Sequence, residues 1–305
     1  MATVAFFVSG GDGSMIPLEA VAKCHQVIAV VRPARSPSWF RRAVRSALSR
    51  CGIGAQRGMS AWAKLHDVPL IDAVSGCDPD VISRLSNLAP DVICVSAFPW
   101  LLGNGILRTA RQDGLNVHPS LLPRHRGPNP LFWLYYHSDC RTGVTIHRMN
   151  ERADAGDILA QQSFDLPRGF AIDRLYAKNA VLGAQLLVQV LGELEAGDAK
   201  GAAQDEYSAT GAPQIARGTP MVNFAEWDVE RVWHFLSGLC PRRREPLWDA
   251  GRRKVRYESV LGFTPGDCRC AAGTTHRASF GWNLYCHGGS IQLADARNTG
   301  REAKA

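Results

Sequence analysis

The sequence of 305 residues lacks long apolar runs: no window approaches twenty consecutive apolar residues, although 46% of all residues are hydrophobic. Because a helix needs about twenty apolar residues to cross a bilayer, this argues against a transmembrane span. The opening residues, MATVAFFVSGGDG, also lack a basic segment ahead of their apolar run. We therefore expect a buried first strand there instead of a signal peptide. The length allows one large domain or two medium ones.

A disulfide scaffold is lacking as well. The nine cysteines are odd in number and are scattered without a scaffold spacing. This pattern predicts free thiols in a reducing cytoplasm. The one close pair, Cys268 and Cys270, has no matching second pair, so we predict no structural zinc and no other metal site.

Acidic residues are absent between Glu19 and Asp67, where residues 32–57 carry seven arginines. A second basic segment, residues 242–256, holds six arginines and one lysine against two acidic residues. The net charge of the whole chain is only +7, so the remaining residues are acidic on balance. Two basic segments favour an anionic partner such as phosphates, folate glutamates or nucleic acid. Solvated helix faces are the alternative interpretation.

Short β-branched runs alternate with segments of helical length. The runs are 3–8, 26–31, 91–97 and 142–149, and the helical segments are 15–24, 38–50, 58–66, 78–87 and 171–195. Continuous apolar strands that alternate with helices predict an α/β fold. We expect a Rossmann-like, mostly parallel sheet covered on both faces.

The composition changes near residue 200. Residues 197–220 are rich in glycine and alanine and have little apolar periodicity, which is typical of a linker. A helix near 228–239 then precedes short alternating pieces with glycine turns, which predict a small antiparallel barrel or sandwich. We therefore predict an α/β domain over 1–200, a linker over 201–220 and a smaller β-rich domain over 221–305.

The glycine-rich GGDGS at 10–14 follows the first strand. It fits neither GxGxxG nor GxxxxGK[ST], and Arg32 and Pro33 stand where an acidic residue would end the second strand. The motif therefore favours a tight strand-to-helix turn over a dinucleotide site.

The segment GLNVHPSLLPRHRGPNP, residues 114–130, places Asn116 and His118 two residues apart. In an extended segment their side chains share one face. Pro119 ends the strand, and open α/β sheets bind ligands just beyond the carboxyl ends of their strands. Loop capping would explain the pair alone equally well. Downstream, however, TGVTIHRMNERADAGDIL puts Asp154 on a glycine-flanked loop straight after a strand.

Together these residues resemble the 10-formyltetrahydrofolate-dependent formyltransferases. The family signature Asn-x-His-Pro-Ser-Leu-Leu-Pro corresponds to 116–123, its Thr-Gly-Val-Thr strand to 142–145 and its Asp-x-Gly loop to 154–156. The resemblance implies an N-formyltransferase that uses 10-formyltetrahydrofolate as co-substrate, without a metal, and formylates a primary amine. It makes 1–200 the catalytic domain and extends more loosely to WNLYCHGGSIQL, which resembles an OB-like barrel.

The reaction accounts for the three polar residue types. Attack of an amine on the formyl carbon creates an oxyanion, to which the amide of Asn116 and a protonated His118 would both donate. The carboxylate of Asp154 would raise the pKa of His118 above its usual value of about 6.5 and would relay the proton that the amine loses. The sequence leaves open which residue removes that proton.

The resemblance also implies the position of the folate. Its pterin ring is expected against the segment after strand 91–97 and against the loop after strand 142–149, with contacts from Ser96, Ala97, Phe98, Pro99, Trp100, Asn150 and Ala153. Pro99 and Trp100 depart from the small residue that the family commonly carries after the aromatic. Among the other histidines, we expect His125 on a solvated loop, with contact to a phosphate as the alternative, and His147 in a structural position.

Two classes of acceptor fit the sequence: a small amine, above all a nucleotide-linked amino sugar, and the initiator transfer RNA on which methionyl-tRNA formyltransferases act. Segment 32–57 lies where the transfer-RNA enzymes carry a basic insertion. Its Phe40, Val44 and Leu48, however, line one face of an amphipathic helix, and RGPNP and HRMNERADAG are closer to the sugar-type members. We predict a small amine. Transfer RNA is the main alternative; another amine, such as a hydroxylamine or peptide precursor, and hydrolysis of 10-formyltetrahydrofolate are lesser ones.

Overall fold

The structure, a computed structural model, describes residues 1–34, 53–216, 218–249, 252–267 and 269–295. The helix predicted at 38–50 lies outside these residues. Contacts divide the chain into two compact units, each built from three stretches. Unit 1 comprises Met1–Pro128, Gly143–Phe164 and Tyr176–Ala212, and unit 2 comprises Asn129–Thr142, Asp165–Leu175 and Pro213–Ala305. The continuous domain ranges that we predict from composition stay a prediction.

A seven-stranded, mostly parallel sheet forms the centre of unit 1. Its strands are β1 (Thr3–Val8), β2 (Gln26–Pro33), β3 (Leu70–Ala73), β4 (Val92–Ser96), β5 (Asp113–His118), β6 (Arg141–Arg148) and β7 (Ile158–Asp165). Their order is β3-β2-β1-β4-β5-β6-β7, with the first five parallel and β6 antiparallel to β5. The strands predicted at 3–8, 26–31, 91–97 and 142–149 correspond to β1, β2, β4 and β6.

Helices cover both faces of this sheet. Unit 1 contains α1 (Asp12–Cys24), α2 (Ile53–Leu65), α3 (Pro79–Leu88) and α4 (Asn104–Leu107). The helices α5 (Pro130–Tyr136) and α7 (Val229–Leu239) belong to unit 2, and most of the long helix α6 (Ile172–Ala196) belongs to unit 1. Because successive residues of a strand face opposite ways, β1 contributes to two cores. Val4, Phe6 and Val8 join one core with side chains of α1, α2 and α6, and Ala5 and Phe7 join the other with side chains of α3 and α4. None of the described helices is long and apolar enough to cross a membrane.

Unit 2 contains the short strands that follow the long helix. These are β8 (Leu247–Trp248), β9 (Lys254–Val255), β10 (Ser259–Pro265), β11 (Thr275–Ala278), β12 (Gly281–Cys286) and β13 (Gly289–Ala294). Four of them form an antiparallel sheet of order β10-β13-β12-β11. Helix α7 packs on β10, where the Trp233 and Phe263 rings lie 5.0 Å apart. The predicted antiparallel sheet is confirmed, and its closure into an OB-like barrel stays a prediction.

The strand order places several loops at one edge of the sheet. Strands β1, β4 and β5 are parallel neighbours, so their carboxyl ends at Val8, Ser96 and His118 share that edge. The turn after β1 is tight, as predicted: Gly10 has a φ of 95°, its N–H donates to Ser14 Oγ at 3.0 Å, and α1 begins at Asp12. The strand order also changes direction at β1: β2 and β3 extend the sheet on one side of β1, and β4 and β5 extend it on the other. Open α/β sheets form a crevice at such a switch point.

Strand β7 and the contacts of residues 201–212 were not predicted from the sequence. Strand β7 mixes polar and apolar residues and is partly exposed along its length, so it lacks the continuous apolar run of the inner strands. Residues 201–212, which we predicted as part of a linker, belong to unit 1. Ala202 and Ile158 exchange backbone hydrogen bonds of 2.8 and 2.9 Å, and the N–H of Arg126 donates to Thr210 O at 2.8 Å.

The two glycines of α6 provide a test of this packing. A Cβ at Gly183 would lie 2.6 Å from Val117 Cγ1, whereas a Cβ at Gly192 meets nothing within 4 Å. We expect Gly183→Ala to destabilise the protein by about 1–3 kcal/mol through overpacking. Gly192→Ala should stabilise it by up to about 1 kcal/mol, because alanine is the better helix former. Thermal unfolding measures both, and equal effects of the two substitutions would contradict the packing of α6 on β5.

Candidate active site

The pairing of β5 with β6 brings four polar residues to one face of the sheet. Asn116 pairs with His147, and His118 pairs with Thr145. Residues that are directly opposite in an antiparallel pair have neighbouring side chains on the same face. Val117, between the two β5 residues, points the other way and lies in the core beside α6. Burial of this valine therefore determines which face of β5 carries the polar side chains.

Asp154 lies at the centre of this group. Its Oδ1 accepts a hydrogen bond from Asn116 Nδ2 at 3.2 Å, and its Oδ2 accepts one from the backbone N–H of Gly127 at 2.8 Å. The same Oδ1 lies 3.6 Å from His118 Nδ1 and 3.4 Å from His147 Nε2. The structure thus brings together the three residues that the sequence predicts as catalytic, although 38 residues separate Asn116 from Asp154 along the chain.

Backbone carbonyls identify the proton positions on both imidazoles. His118 Nε2 lies 3.0 Å from His125 O, and His147 Nδ1 lies 2.8 Å from Arg148 O. A carbonyl only accepts, so each of these nitrogens carries a hydrogen. In neutral His118 the lone pair is then on Nδ1, facing Asp154. In neutral His147 it is on Nε2, which accepts from Asn116 Nδ2 at 3.1 Å.

The charges in the site differ from those that we expected. Burial raises the pKa of Asp154, but His118, His147 and the N–H of Gly127 outweigh it and lower that pKa to about 2. Burial also lowers the pKa of His118, and the opposing effect of Asp154 is smaller. The predicted rise in the pKa of His118 is therefore wrong, because the side chain is only 5% exposed. At neutral pH the site holds a carboxylate beside a neutral imidazole.

A buried network anchors the loop that follows His118. Thr145 Oγ1 donates to Ser120 O at 2.7 Å and accepts from Leu122 N at 3.2 Å and from Gln161 Nε2 at 2.8 Å. Ser120 Oγ in turn donates to Arg124 O at 2.7 Å. Because buried polar groups are costly unless paired, these bonds hold the chain between the end of β5 and His125, whose carbonyl orients His118.

The residues predicted to contact folate lie in two segments, one at the end of β4 and one after β6. At the end of β4, Ser96 is buried and its Oγ donates to Gly13 O at 2.7 Å, whereas Ala97 and Pro99 beyond the strand are exposed. Phe98 makes edge contacts with Phe7 and Trp100, with ring centroids 5.2 and 5.4 Å apart. After β6, Asn150 and Ala153 are both exposed. A hydrogen bond from Asn104 Nδ2, at the start of the helix α4 that follows the first loop, to Glu151 Oε1 connects this helix to the second loop.

Three contributors to the site were not identified from the sequence. His147 lies inside β6, as expected, but its contacts with Asn116 and Asp154 were not predicted. His125 is only 3% exposed, so the solvated position that we expected is wrong. Gly127 supplies the backbone N–H to Asp154. The alternation of side chains along β6 could have indicated that His147 shares a face with Thr145, two residues away. The positions of His125 and Gly127 depend on the conformation of a loop.

Among the described residues, no group of three or more histidine, cysteine, aspartate or glutamate side chains could hold a metal ion. His118 and Asp154 can exchange protons with a bound molecule, and Asn116 can donate hydrogen bonds to one.

A family profile and a curated relative that resemble this chain are both described as formyltransferases. A family profile described as "Formyl transferase" matches residues 22–191. The methionyl-tRNA formyltransferase of Anaeromyxobacter dehalogenans (strain 2CP-1 / ATCC BAA-258) is 34% identical over 276 residues, which cover 88% of this chain and 83% of the relative.

Two solved structures share the fold at low sequence identity. The N-formyltransferase from Helicobacter canadensis, in complex with folinic acid and dTDP-3-aminofucose, has a TM-score of 0.71 at 14% identity and covers 97% of this chain and 99% of its own. HypX from Aquifex aeolicus, in complex with tetrahydrofolic acid, has a TM-score of 0.60 at 17% identity. The match covers 96% of this chain but only 43% of HypX.

Titration of the histidines by NMR tests the charges in the site. We expect His118 to titrate with a midpoint below about 6.5, the usual histidine pKa. Asp154→Asn should lower that midpoint further, because the carboxylate favours the imidazolium. His118→Ala assigns the resonance. A midpoint above the usual value, or one that Asp154→Asn leaves unchanged, would contradict the assignment of charges.

Proposed function

Because the chain belongs to the formyl transferase family, whose members use formyltetrahydrofolate, we propose that it transfers the formyl group of 10-formyltetrahydrofolate to the primary amine of a small molecule. The observation that carries this proposal is the convergence of Asn116, His118 and Asp154 at the end of β5. A nucleotide-linked amino sugar is the leading acceptor class. We place the reaction in the cytoplasm, as the cysteine pattern predicts, and retain an OB-like barrel as the proposed form of the β-rich part of unit 2.

The two loops beyond β4 and β6 fit a flat polar ring. Ala97, Pro99, Asn150 and Ala153 are exposed on them, and the bond between Asn104 and Glu151 connects the helix α4, which follows the first loop, to the second loop. The hydroxyl of Ser96 donates to Gly13 O. We therefore propose that Ser96 supports the first loop and contacts the folate only through its backbone. The folate, when bound, supplies an activated formyl group attached to nitrogen.

His118 is suited to remove the proton from the attacking amine. Its Nε2 hydrogen is held by His125 O, so Nδ1 is the free base. As the amine nitrogen bonds to the formyl carbon, the proton leaves that nitrogen for His118 Nδ1, and it later passes to the departing folate nitrogen. Asp154, 3.6 Å away, stabilises the imidazolium formed between the two steps. With its pKa near 2, Asp154 is itself the weaker base.

Negative charge develops on the formyl oxygen during this attack. The imidazolium of His118 donates to it once Nδ1 is protonated. Asn116 directs its two amide hydrogens at Asp154 and His147 in the structure, so its donation to the oxygen requires one of them to turn. One preorganised donor of this kind lowers a barrier by about 3 kcal/mol.

The arginines of unit 2 favour a small acceptor. Four arginines of segment 242–256 are ion-paired within the unit: Arg242 with Asp173, Arg243 with Glu245, Arg244 with Glu258 and Arg253 with Asp249. Two of these carboxylates, Asp173 and Glu258, lie outside the segment and reduce its positive charge. A phosphate backbone would therefore meet a weaker field than the sequence count suggests.

Initiator transfer RNA is the second candidate. It is supported by the 34% identity to a methionyl-tRNA formyltransferase over most of both chains. It requires a set of basic residues that releases counterions from the phosphate backbone, with strong dependence of binding on salt.

The role of His118 predicts the behaviour of a substitution. We expect His118→Ala to lower kcat by at least about a hundredfold, the usual contribution of a general acid-base group, while folate affinity is retained. His66→Ala, at an exposed histidine stacked on Trp62, is the control and should leave kcat unchanged. Normal turnover in His118→Ala would refute the assigned role.

A panel of acceptors decides between the two candidates. The enzyme is incubated with 10-formyltetrahydrofolate and either amino sugar nucleotides or charged initiator transfer RNA, and mass spectrometry detects the formylated product. We expect a sugar amine to be formylated and transfer RNA to bind weakly. Formylation of the RNA, with affinity that falls steeply between low and moderate salt, would establish the second candidate. Release of formate without any acceptor would indicate a hydrolase.

A further inference from the structure

The loop that carries Asp154 has a backbone conformation that needs external support. Asp154 has a φ of 52°, in the left-handed region that non-glycine residues seldom adopt. Two residues later, a Cβ at Gly156 would lie 2.0 Å from Arg148 O, so the backbone there runs close against the end of β6. A conformation of this kind persists only where surrounding contacts hold it.

Gln204 supplies such a contact. Its Nε2 donates to Asp154 O at 2.9 Å and to Gly156 O at 2.7 Å, so one side-chain amide uses both hydrogens on the loop. These bonds act on the backbone of the loop, whereas Asn116 and Gly127 bind the carboxylate. Gln204 is partly buried, lies fifty residues beyond Asp154 in the chain and binds Asp154 through its backbone carbonyl.

The orientation of this amide is determined by its other partner. Arg126 Nε donates to Gln204 Oε1 at 2.9 Å. Since a guanidinium has no acceptor, the amide oxygen must face Arg126, and the nitrogen must face the two carbonyls. Arg126 precedes Gly127, the residue whose N–H holds the Asp154 carboxylate. The same amide therefore connects the loop after β5 to the loop after β6.

The segment around Gln204 is itself held in place. Thr210 Oγ1 accepts from His125 N at 2.9 Å, and Ala212 N donates to Arg126 O at 2.6 Å. Glu206 accepts two bonds from Arg126, at 3.0 and 3.2 Å, and one from Arg152 at 2.9 Å. Residues 201–212 therefore contact both loops that bring His118 and Asp154 together.

We propose that Gln204 is a positioning residue for formyl transfer, which holds the loop of Asp154 so that its carboxylate stays beside His118. This inference rests on the proposed function for its effect on turnover. The geometric part, that Gln204 maintains the contact between Asp154 and His118, does not depend on the acceptor.

Gln204→Met tests the inference, because methionine keeps the length of the side chain, adds no charge and removes both donated hydrogens. We expect kcat to fall by about tenfold to a hundredfold, as a displacement near 1 Å can cause, with little change in KM. The midpoint of His118 in an NMR titration should fall toward that of Asp154→Asn, because the carboxylate moves away. If the methionine variant does not fold, Gln204→Ala, which removes the side chain beyond Cβ, is measured in the same two assays.

Glu206→Gln is the matched control on the same segment. It weakens the ion pairs to Arg126 and Arg152 but leaves the donors of Gln204 in place, so the His118 midpoint and kcat should stay close to those of the wild type. If folded Gln204→Met keeps both the wild-type kcat and the wild-type His118 midpoint, the inference is overturned. If the wild type formylates no amine, the proposed function fails, and the difference in midpoint between the two variants still decides the positioning role.

Discussion

The site depends on a single buried carboxylate. Asp154 lies among His118, His147, Asn116 and the N–H of Gly127. The two histidines and the N–H of Gly127 outweigh the desolvation that would otherwise protonate it. An unpaired carboxylate at this depth would be costly, so the surrounding loops are constrained to present donors to it. The register of β5 with β6, the turn at Gly127 and the left-handed backbone at Asp154 all serve this requirement.

Burial and the Asp154 carboxylate each give His118 one property that suits a base. The imidazole is neutral because it is buried, and it is therefore able to accept a proton. Once it has accepted one, the charge is stabilised by the anion 3.6 Å away. A fully exposed histidine would already be protonated at low pH and could not accept the proton. A buried histidine without Asp154 would have an even lower pKa, because the largest effect that opposes burial would be absent. In the proposed mechanism the two residues act as a pair whose charge changes during the reaction.

Sequence reasoning identified the residues that form local patterns. Asn116 and His118 were found because alternation along one strand places them together, and β1, β2 and β4 were found because their apolar runs are continuous. Contacts between segments that are distant in the chain could not be predicted from such patterns. The contacts of His147 depend on the register of β6 with β5, and those of Gln204 depend on the positions of loops. Strand β7 was not predicted because it is partly exposed and has no continuous apolar run. The pKa of His118 was assigned the wrong direction, because the neighbouring charge is visible in the sequence but the degree of burial is not.

The most direct test of the account is the pH dependence of single-turnover formyl transfer to a weakly basic amine, whose own protonation lies outside the range studied. If neutral His118 is the base, the rate should be constant above about pH 6.5 and should fall as the pH drops through its lowered pKa. A rate that is highest at acidic pH and declines as the pH rises past about 6.5 would mean that the imidazolium is the active form from the start. That result would contradict a neutral histidine paired with Asp154 as the origin of catalysis.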